Sequence, residues 1–279
     1  MTARVLSPSR IALLAALAAA VALYAPVVSG LVRQWMTEPA SSQGLLLLGV
    51  AVFLVYRRID AWQVTAIEPR DAGLVVVAAA LGIFTLGTIT GEVFVLRMSM
   101  PLAIAGAVLA AAGVDHLRLM TAPLALFTLA IPLPAVVVTH ATMPLQLIAS
   151  QVAAGVLEAC RVPVMREGNL LMLNRVTLEV ADACSGLRSL VSLISVTAVC
   201  AAFVSMSARR VALLMLAAVP IAIVGNGLRV AATGLLASSI GEVAARGFLH
   251  DLTGYVAFVA MCAAIIGLQM ASRRRMALA

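Results

Sequence analysis

The chain has 279 residues, of which 63% are hydrophobic and 11% charged, and its mean hydropathy is +1.10. A soluble domain cannot bury that much apolar surface, so a soluble protein is excluded and an integral membrane protein is indicated. The formal net charge of +7 comes from arginines scattered between apolar segments, which is typical of membrane topology and not of a nucleic-acid-binding patch. We therefore expect the lipid bilayer as a partner, no nucleic acid, and a single integral membrane domain over residues 1–279.

Eight apolar segments are candidates for crossing the membrane, since about 17 to 25 apolar residues span a hydrocarbon core about 30 Å thick. The first follows Arg4 and Arg10, as a signal peptide would, but it lacks a small-x-small cleavage site and is expected to be a retained helix. The predicted spans are 11–32, 43–56, 72–90, 98–114, 119–138, 186–204, 210–235 and 251–271. The predicted fold class is an all-α polytopic membrane protein with about eight transmembrane helices.

The arginines predict the orientation of these helices. An even number of spans puts both termini on one side, and the positive-inside rule favours the cytoplasm. The cytoplasmic arginines are then Arg4, Arg10, Arg57, Arg58, Arg70, Arg118, Arg209, Arg210, Arg273, Arg274 and Arg275. The short outer loops hold only Arg33, Arg97 and Arg246. This asymmetry predicts a multi-pass inner-membrane protein with cytoplasmic termini.

The connection between the fifth and sixth spans, about residues 139–184, is a long outer loop. Its first half, up to about Glu158, has a helical period with few polar interruptions, which predicts an amphipathic helix that lies at the interface or re-enters the membrane. Its second half has turn signals around Gly168 and an alternating TLEV stretch, which predict a short β-hairpin over about 164–181 leading to Cys184.

Three chemically reactive side chains are predicted to lie at the outer ends of the last three spans: Cys184, Arg229 and His250. Arg229 is 18 residues beyond Val211, or about 27 Å along a helix, which brings it near the outer interface. Depth alone therefore places the three at one level of the membrane. It does not say which of them are lateral neighbours.

The chemistry of these groups is that of acyl transfer through a thioester. If Asp182 or Ser185 caps the sixth span, Cys184 lies at a helix N-terminus, which favours its thiolate form. His250 is a suitable acid and base, and Arg229 can stabilise the thiolate or a developing oxyanion.

The arginines at depth have two interpretations. A charge in a membrane span is costly unless it is paired, hydrated or used. Arg188 follows Cys184 by one helical turn, and Asn226 and Arg229 share a face at i and i+3, so all of these are candidates to support a site. The structural alternative is an ion pair of an arginine with an acidic residue, and its candidates are Asp182, Glu242 and Asp251.

The cysteines and histidines leave other roles open. Cys184 could form a disulfide with Cys160 in an oxidising compartment, and His140 competes with His250 as the base. Cys200 and Cys262 fall in the middle of spans, where cysteine usually serves as a small apolar residue. The spacing gives no local pair of metal ligands, so neither a metal nor another cofactor is expected.

Six motifs follow one another in the order seen in a known family. They are IPLP at 131–134, MPLQLIAS at 143–150, REG at 166–168, LEVADACSGLRSL at 178–190, GNGLRV at 225–230 and LHDLTGY at 249–255. With these motifs, which cover about half of it, the chain resembles the exosortase/archaeosortase family of membrane-embedded, sortase-like cysteine transpeptidases. It departs from the family where WMTEPASSQG, residues 35–44, lacks the tyrosine and histidine of the more usual W-x-x-x-P-x-Y-S-H-G.

The resemblance implies a catalytic trio of Cys184, Arg229 and His250, for which Arg188, Asn226, Asp182 and Asp251 are the supporting candidates. It also implies a substrate: the C-terminal sorting signal of an exported protein, with a short motif such as Pro-Glu-Pro, a transmembrane helix and a basic tail. Cleavage at the periplasmic face would pass the new C-terminus to an acceptor whose identity is open. The alternative from another class is a non-enzymatic transporter or assembly scaffold in which the intramembrane arginines serve anions.

Overall fold

The computed structural model describes residues 8–174, 176–180, 186–204, 206–241 and 247–277, without the side chains of 8–18, 250 and 272–277. The described helices are α1 (Pro8–Thr37), α2 (Gln43–Arg57), α3 (Ile59–Val64), α4 (Ala72–Thr90), α5 (Val93–Ala111), α6 (Val114–Ala130), α7 (Ala135–Ala159), α8 (Leu187–Phe203), α9 (Ala208–Ile240) and α10 (Phe248–Ala277). The described strands are β1 (Val164–Glu167), β2 (Leu170–Leu173) and β3 (Thr177–Glu179).

Within the described residues, five helices are long and apolar enough to cross a membrane: α4, α5, α7, α9 and the part of α10 from Asp251 to Ala271. Two shorter apolar helices, α2 and α8, accompany them. The multi-pass, mostly helical membrane architecture is thereby confirmed. The number of eight spans stays a prediction, because the helix lengths do not establish it.

The chain forms two compact units, residues 1–132 and residues 133–279. The first contains α1 to α6, and the second contains α7 to α10 and the three strands. All the described candidate site residues belong to the second unit. The expectation that the whole chain acts as one membrane domain stays a prediction.

In the first unit, the predicted outer loops do not hold Arg33 and Arg97, which lie inside α1 and α5. Helix α5 begins at Val93, five residues before the predicted start of the fourth span at 98. Arg97 is only 8% exposed, and its Nη1 atom donates to the Gln34 Oε1 atom of α1. A hydrogen-bonded arginine need not end a membrane helix, which is why charge alone gave the wrong boundary.

The predicted fifth span, 119–138, is interrupted. Helix α6 ends at Ala130 and α7 begins at Ala135, with Ile131–Pro134 between them. Proline lacks an N–H and disfavours helical backbone in the residue before it, so the two prolines of IPLP break the helix. The helix predicted for the first half of the long connection is present as α7, which starts earlier than expected and has 25 residues. Its position at the interface stays a prediction.

The predicted hairpin is confirmed, and a third strand extends it. The sheet has the order β1-β2-β3 with antiparallel pairing throughout. Its buried residues share one apolar core with α7 and α9, and that core includes Leu171, Leu178, Ala153 and Leu157. The Ser150 hydroxyl of α7 donates to the Gly168 carbonyl oxygen at 2.8 Å, so the hairpin turn is held against α7.

Candidate active site

The described candidate residues lie on α8, α9 and α10 of the second unit. Cys184 and Asp182 lie outside the described residues, as does the side chain of His250. The backbone of His250 belongs to the first turn of α10. The site is therefore built from the described residues on either side of these positions.

Asn226 of α9 lies against the start of α8. Gly186, the N-cap of α8, has φ +82°, a left-handed conformation that glycine adopts without steric penalty. A Cβ atom built on Gly186 would lie 2.9 Å from Asn226 Nδ2, and Asn226 is only 1% exposed. The backbone two residues after Cys184 is thus packed on a buried polar side chain of α9.

Arg229 lies one helical turn beyond Asn226 and is packed on α10. A Cβ atom built on Gly254 would lie 3.2 Å from both Cζ and Nη2 of the Arg229 guanidinium. Gly254 follows His250 by four residues, which is one turn of the same face of α10. The half-buried guanidinium therefore lies on the surface of α10, one turn from the backbone position of His250.

A pair of threonines joins α9 and α10 next to this contact. Thr233 Oγ1 donates to the Arg229 carbonyl oxygen at 3.1 Å, and it lies 3.2 Å from Thr253 Oγ1. The two hydroxyls thus form a hydrogen bond between α9 and α10. The sequence prediction missed both residues, although their spacing from Arg229 and His250, at i+4 and i+3, put them on the same helix faces.

Other predicted supporting residues are more exposed. Arg188 in the first turn of α8 and Asp251 in the first turn of α10 are both exposed. Asp251 is favourably placed beside the positive end of the α10 dipole. Asn226 and Arg229 share one face of α9, as predicted, and of the supporting residues that the structure describes only Asn226 is buried against the start of α8.

Three further cysteines and His140 lie within the described residues. Cys160 is exposed, Cys200 and Cys262 are half-buried, and all three carry free thiols. His140 is exposed on α7. Among the described residues, no group of three His, Cys, Asp or Glu side chains is arranged to hold a metal ion.

The arrangement can stabilise negative charge. A guanidinium held between two apolar helices acts in a medium of low dielectric constant, where its field on a nearby thiolate or oxyanion is stronger than in water.

Helix α9 extends to Ile240, so Arg229 lies 11 residues before its end, or about 16 Å. Arg229 is thus farther from the end of its helix than the predicted boundary at 235 suggested.

A comparison with family models matches residues 35–267 to the family described as Transmembrane exosortase (Exosortase_EpsH). The matched region includes Cys184, Arg229 and His250, and it spans parts of both compact units. A search of curated proteins and a search of solved structures each gave no match.

Proposed function

Because the chain belongs to the transmembrane exosortase family, we propose that it is a cysteine transpeptidase that cleaves the C-terminal sorting signal of exported proteins. The substrate carries a short recognition motif of the Pro-Glu-Pro kind, followed by a transmembrane helix and a basic tail. The enzyme lies in a bacterial inner membrane with both termini in the cytoplasm, and it acts at the periplasmic face.

One observation carries the assignment of residues. Two contacts involve the same stretch of α9. Gly186, near the proposed nucleophile, packs against Asn226, and Gly254, near the proposed base, packs against Arg229. Gly186 follows Cys184 by two residues, and Gly254 follows His250 by one helical turn. Three segments that are distant in sequence thus meet along one turn of α9, from Asn226 to Arg229, and this supports the juxtaposition that a nucleophile, a cation and an acid-base group require.

The proposed reaction has two steps. The Cys184 thiolate attacks the scissile carbonyl carbon, Arg229 stabilises the oxyanion, and His250 protonates the leaving amine as the peptide C–N bond breaks. A thioester between Cys184 and the new C-terminus remains. An acceptor amine, or water, then loses its proton to His250 and attacks the thioester carbon, which releases the Cys184 thiolate. Asn226 and Arg188 orient the groups that react.

The test follows a reporter that carries such a C-terminal signal and is co-expressed with the enzyme. We expect Cys184→Ala to abolish processing while the protein remains folded, because no other group in the proposal forms the thioester. Cys262→Ala is the matched control and should process normally. A mass-spectrometric search for a reporter fragment attached to Cys184 gives a direct readout of the intermediate.

Two outcomes would contradict the proposal. Normal processing by a folded Cys184→Ala variant would exclude the thioester. Loss of processing on Arg229 substitution, with Cys184→Ser fully tolerated, would favour a non-enzymatic role of the intramembrane arginines. Cys160→Ala tests the disulfide alternative in the same assay, since a structural disulfide would make it as damaging as Cys184→Ala.

A further inference from the structure

Strand β3 is an edge strand that leads directly to the proposed nucleophile. It pairs with β2 on one side, and no described strand pairs with its other side. Glu179, its last residue, is five residues before Cys184, so the chain cannot separate the two by more than about 17 Å. The edge therefore lies within the length of about five extended residues from the nucleophile, a distance that an upstream substrate segment can cover.

The hydrogen bonds at the two ends of β3 show which way its backbone groups point. The Leu173 N–H donates to the Val176 carbonyl oxygen at 2.9 Å, and the Val180 N–H donates to the Asn169 carbonyl oxygen at 3.0 Å. In an antiparallel pair, alternate residues direct both their N–H and C=O groups to the same neighbour. Val176, Leu178 and Val180 therefore face β2, and the intervening residues Thr177 and Glu179 direct their backbone groups to the open edge.

The strand that presents these groups is firmly held. The side chains of Val176, Leu178 and Val180 are buried in the core shared with α7 and α9. Thr177 and Glu179 are exposed. The open edge is thus a short row of N–H and C=O groups on an anchored strand, and such a row is complementary to another extended backbone.

We propose that this edge of β3 binds the substrate segment on the N-terminal side of the scissile bond as an additional strand. The proposal rests on the proposed function and specifies how the same site holds its substrate. The Thr177 and Glu179 backbone groups pair with the substrate main chain, so recognition here depends on extended conformation and little on side chains. A second copy of the chain is a poorer occupant, because three edge residues bury far less than the roughly 1,000 Å² of a stable interface.

The main test replaces Thr177 with proline. Its N–H points away from β2, so Thr177→Pro removes a bond to the substrate and none from the sheet, and proline is tolerated on edge strands. We expect reporter cleavage at limiting substrate to fall about tenfold, the effect of losing one hydrogen bond. The thermal midpoint in detergent should remain close to that of the wild type.

A matched control separates the β3 edge from the general effect of a proline in the sheet. Val164→Pro removes an N–H at the first residue of β1, on the opposite edge of the sheet, and should retain wild-type cleavage. Equal loss of cleavage in Val164→Pro and Thr177→Pro would overturn the proposal.

A cross-linking experiment keeps the proposal testable if Thr177→Pro fails to fold. In a Cys184→Ala background, Thr177→Cys should form a disulfide with a single cysteine placed upstream of the cleavage site in the reporter. Cross-links between two copies of the enzyme, with none to the reporter, would overturn the proposal. Normal cleavage by folded Thr177→Pro would also overturn the proposed role of the β3 edge, and it would leave the proposed function intact. If the wild-type protein itself does not process the reporter, the proposed function is contradicted.

Discussion

Gly254 leaves room for the Arg229 guanidinium because it has no side chain. Alanine at this position would place its Cβ about 3.2 Å from the guanidinium, which is tighter than ordinary van der Waals contact. We expect Gly254→Ala to displace Arg229 and lower reporter cleavage by about 10- to 100-fold, the range known for misplaced catalytic groups. Folding should not suffer, because alanine in a helix interior is favoured over glycine by up to about 1 kcal/mol.

Gly267 provides the matched control on the same helix. A Cβ atom built there meets nothing within 4 Å, so Gly267→Ala should give the same gain in helix propensity with normal cleavage. The measurement is a pair of numbers for each variant, the thermal midpoint and the cleavage rate. If both variants cleave like the wild type, Gly254 does not position Arg229.

The sequence predicted the candidate site at the residue scale from depth and from family resemblance. Arg229 and His250 could be assigned to the same end of their spans because rise per residue converts position into depth. The roles of Gly186 and Gly254 could not be predicted, since a glycine carries no signal of the side chain that lies opposite it. Which residues of two helices contact each other depends on how the helices pack. The sequence of one helix does not specify which face of a neighbouring helix it packs against.

At the scale of elements, boundaries were predictable where several signals agreed. Helix α4 covers the predicted 72–90, because an unbroken apolar run ends at Gly91, whose left-handed backbone, at φ +72°, stops the helix. The start of α5 was misplaced because Arg97 was taken as a boundary, and its partner Gln34 is 63 residues away in sequence. The predicted hairpin over about 164–181 included the TLEV stretch that forms β3, but a hairpin has only two strands, whereas the structure divides this stretch into three.

The small sheet depends on the core that it shares with α7 and α9. Leu171 in the central strand is fully buried, at 0% exposed, whereas Met165 in the edge strand β1 is 64% exposed. We expect Leu171→Ala to lower the free energy of unfolding by about 2 to 5 kcal/mol, through lost burial and a residual cavity. Met165→Ala should change it by less than about 0.5 kcal/mol. Thermal unfolding of the purified protein in detergent measures both, and equal effects would contradict the packing described.

At the scale of the whole molecule, the positions of the arginines limit how many times the chain crosses the membrane between Ala111 and Leu187. If α6 and α7 both crossed, the pair Arg209–Arg210 and the triplet at 273–275 would lie outside, against the positive-inside rule. If only one crosses, both groups are cytoplasmic and the sheet is outside. Helix α6 has 17 residues, with Asp115 and Arg118 near its start, and α7 has 25, so length and charge do not require both to cross.

We therefore predict a single crossing between these points, which puts the sheet in the periplasm and the C-terminus in the cytoplasm. In a cysteine-free background, Met165→Cys should react with a membrane-impermeant maleimide in intact cells, while Glu68→Cys should react only after lysis. A C-terminal green fluorescent protein should be fluorescent, as it is when folded in the cytoplasm. Protection of Met165→Cys together with a dark fusion would contradict the single crossing, since the sheet is inside both when the two helices cross and when neither does. If Met165→Cys is labelled, Leu133→Cys, in the break between the helices, identifies the helix that crosses, because this position is outside only if α6 does.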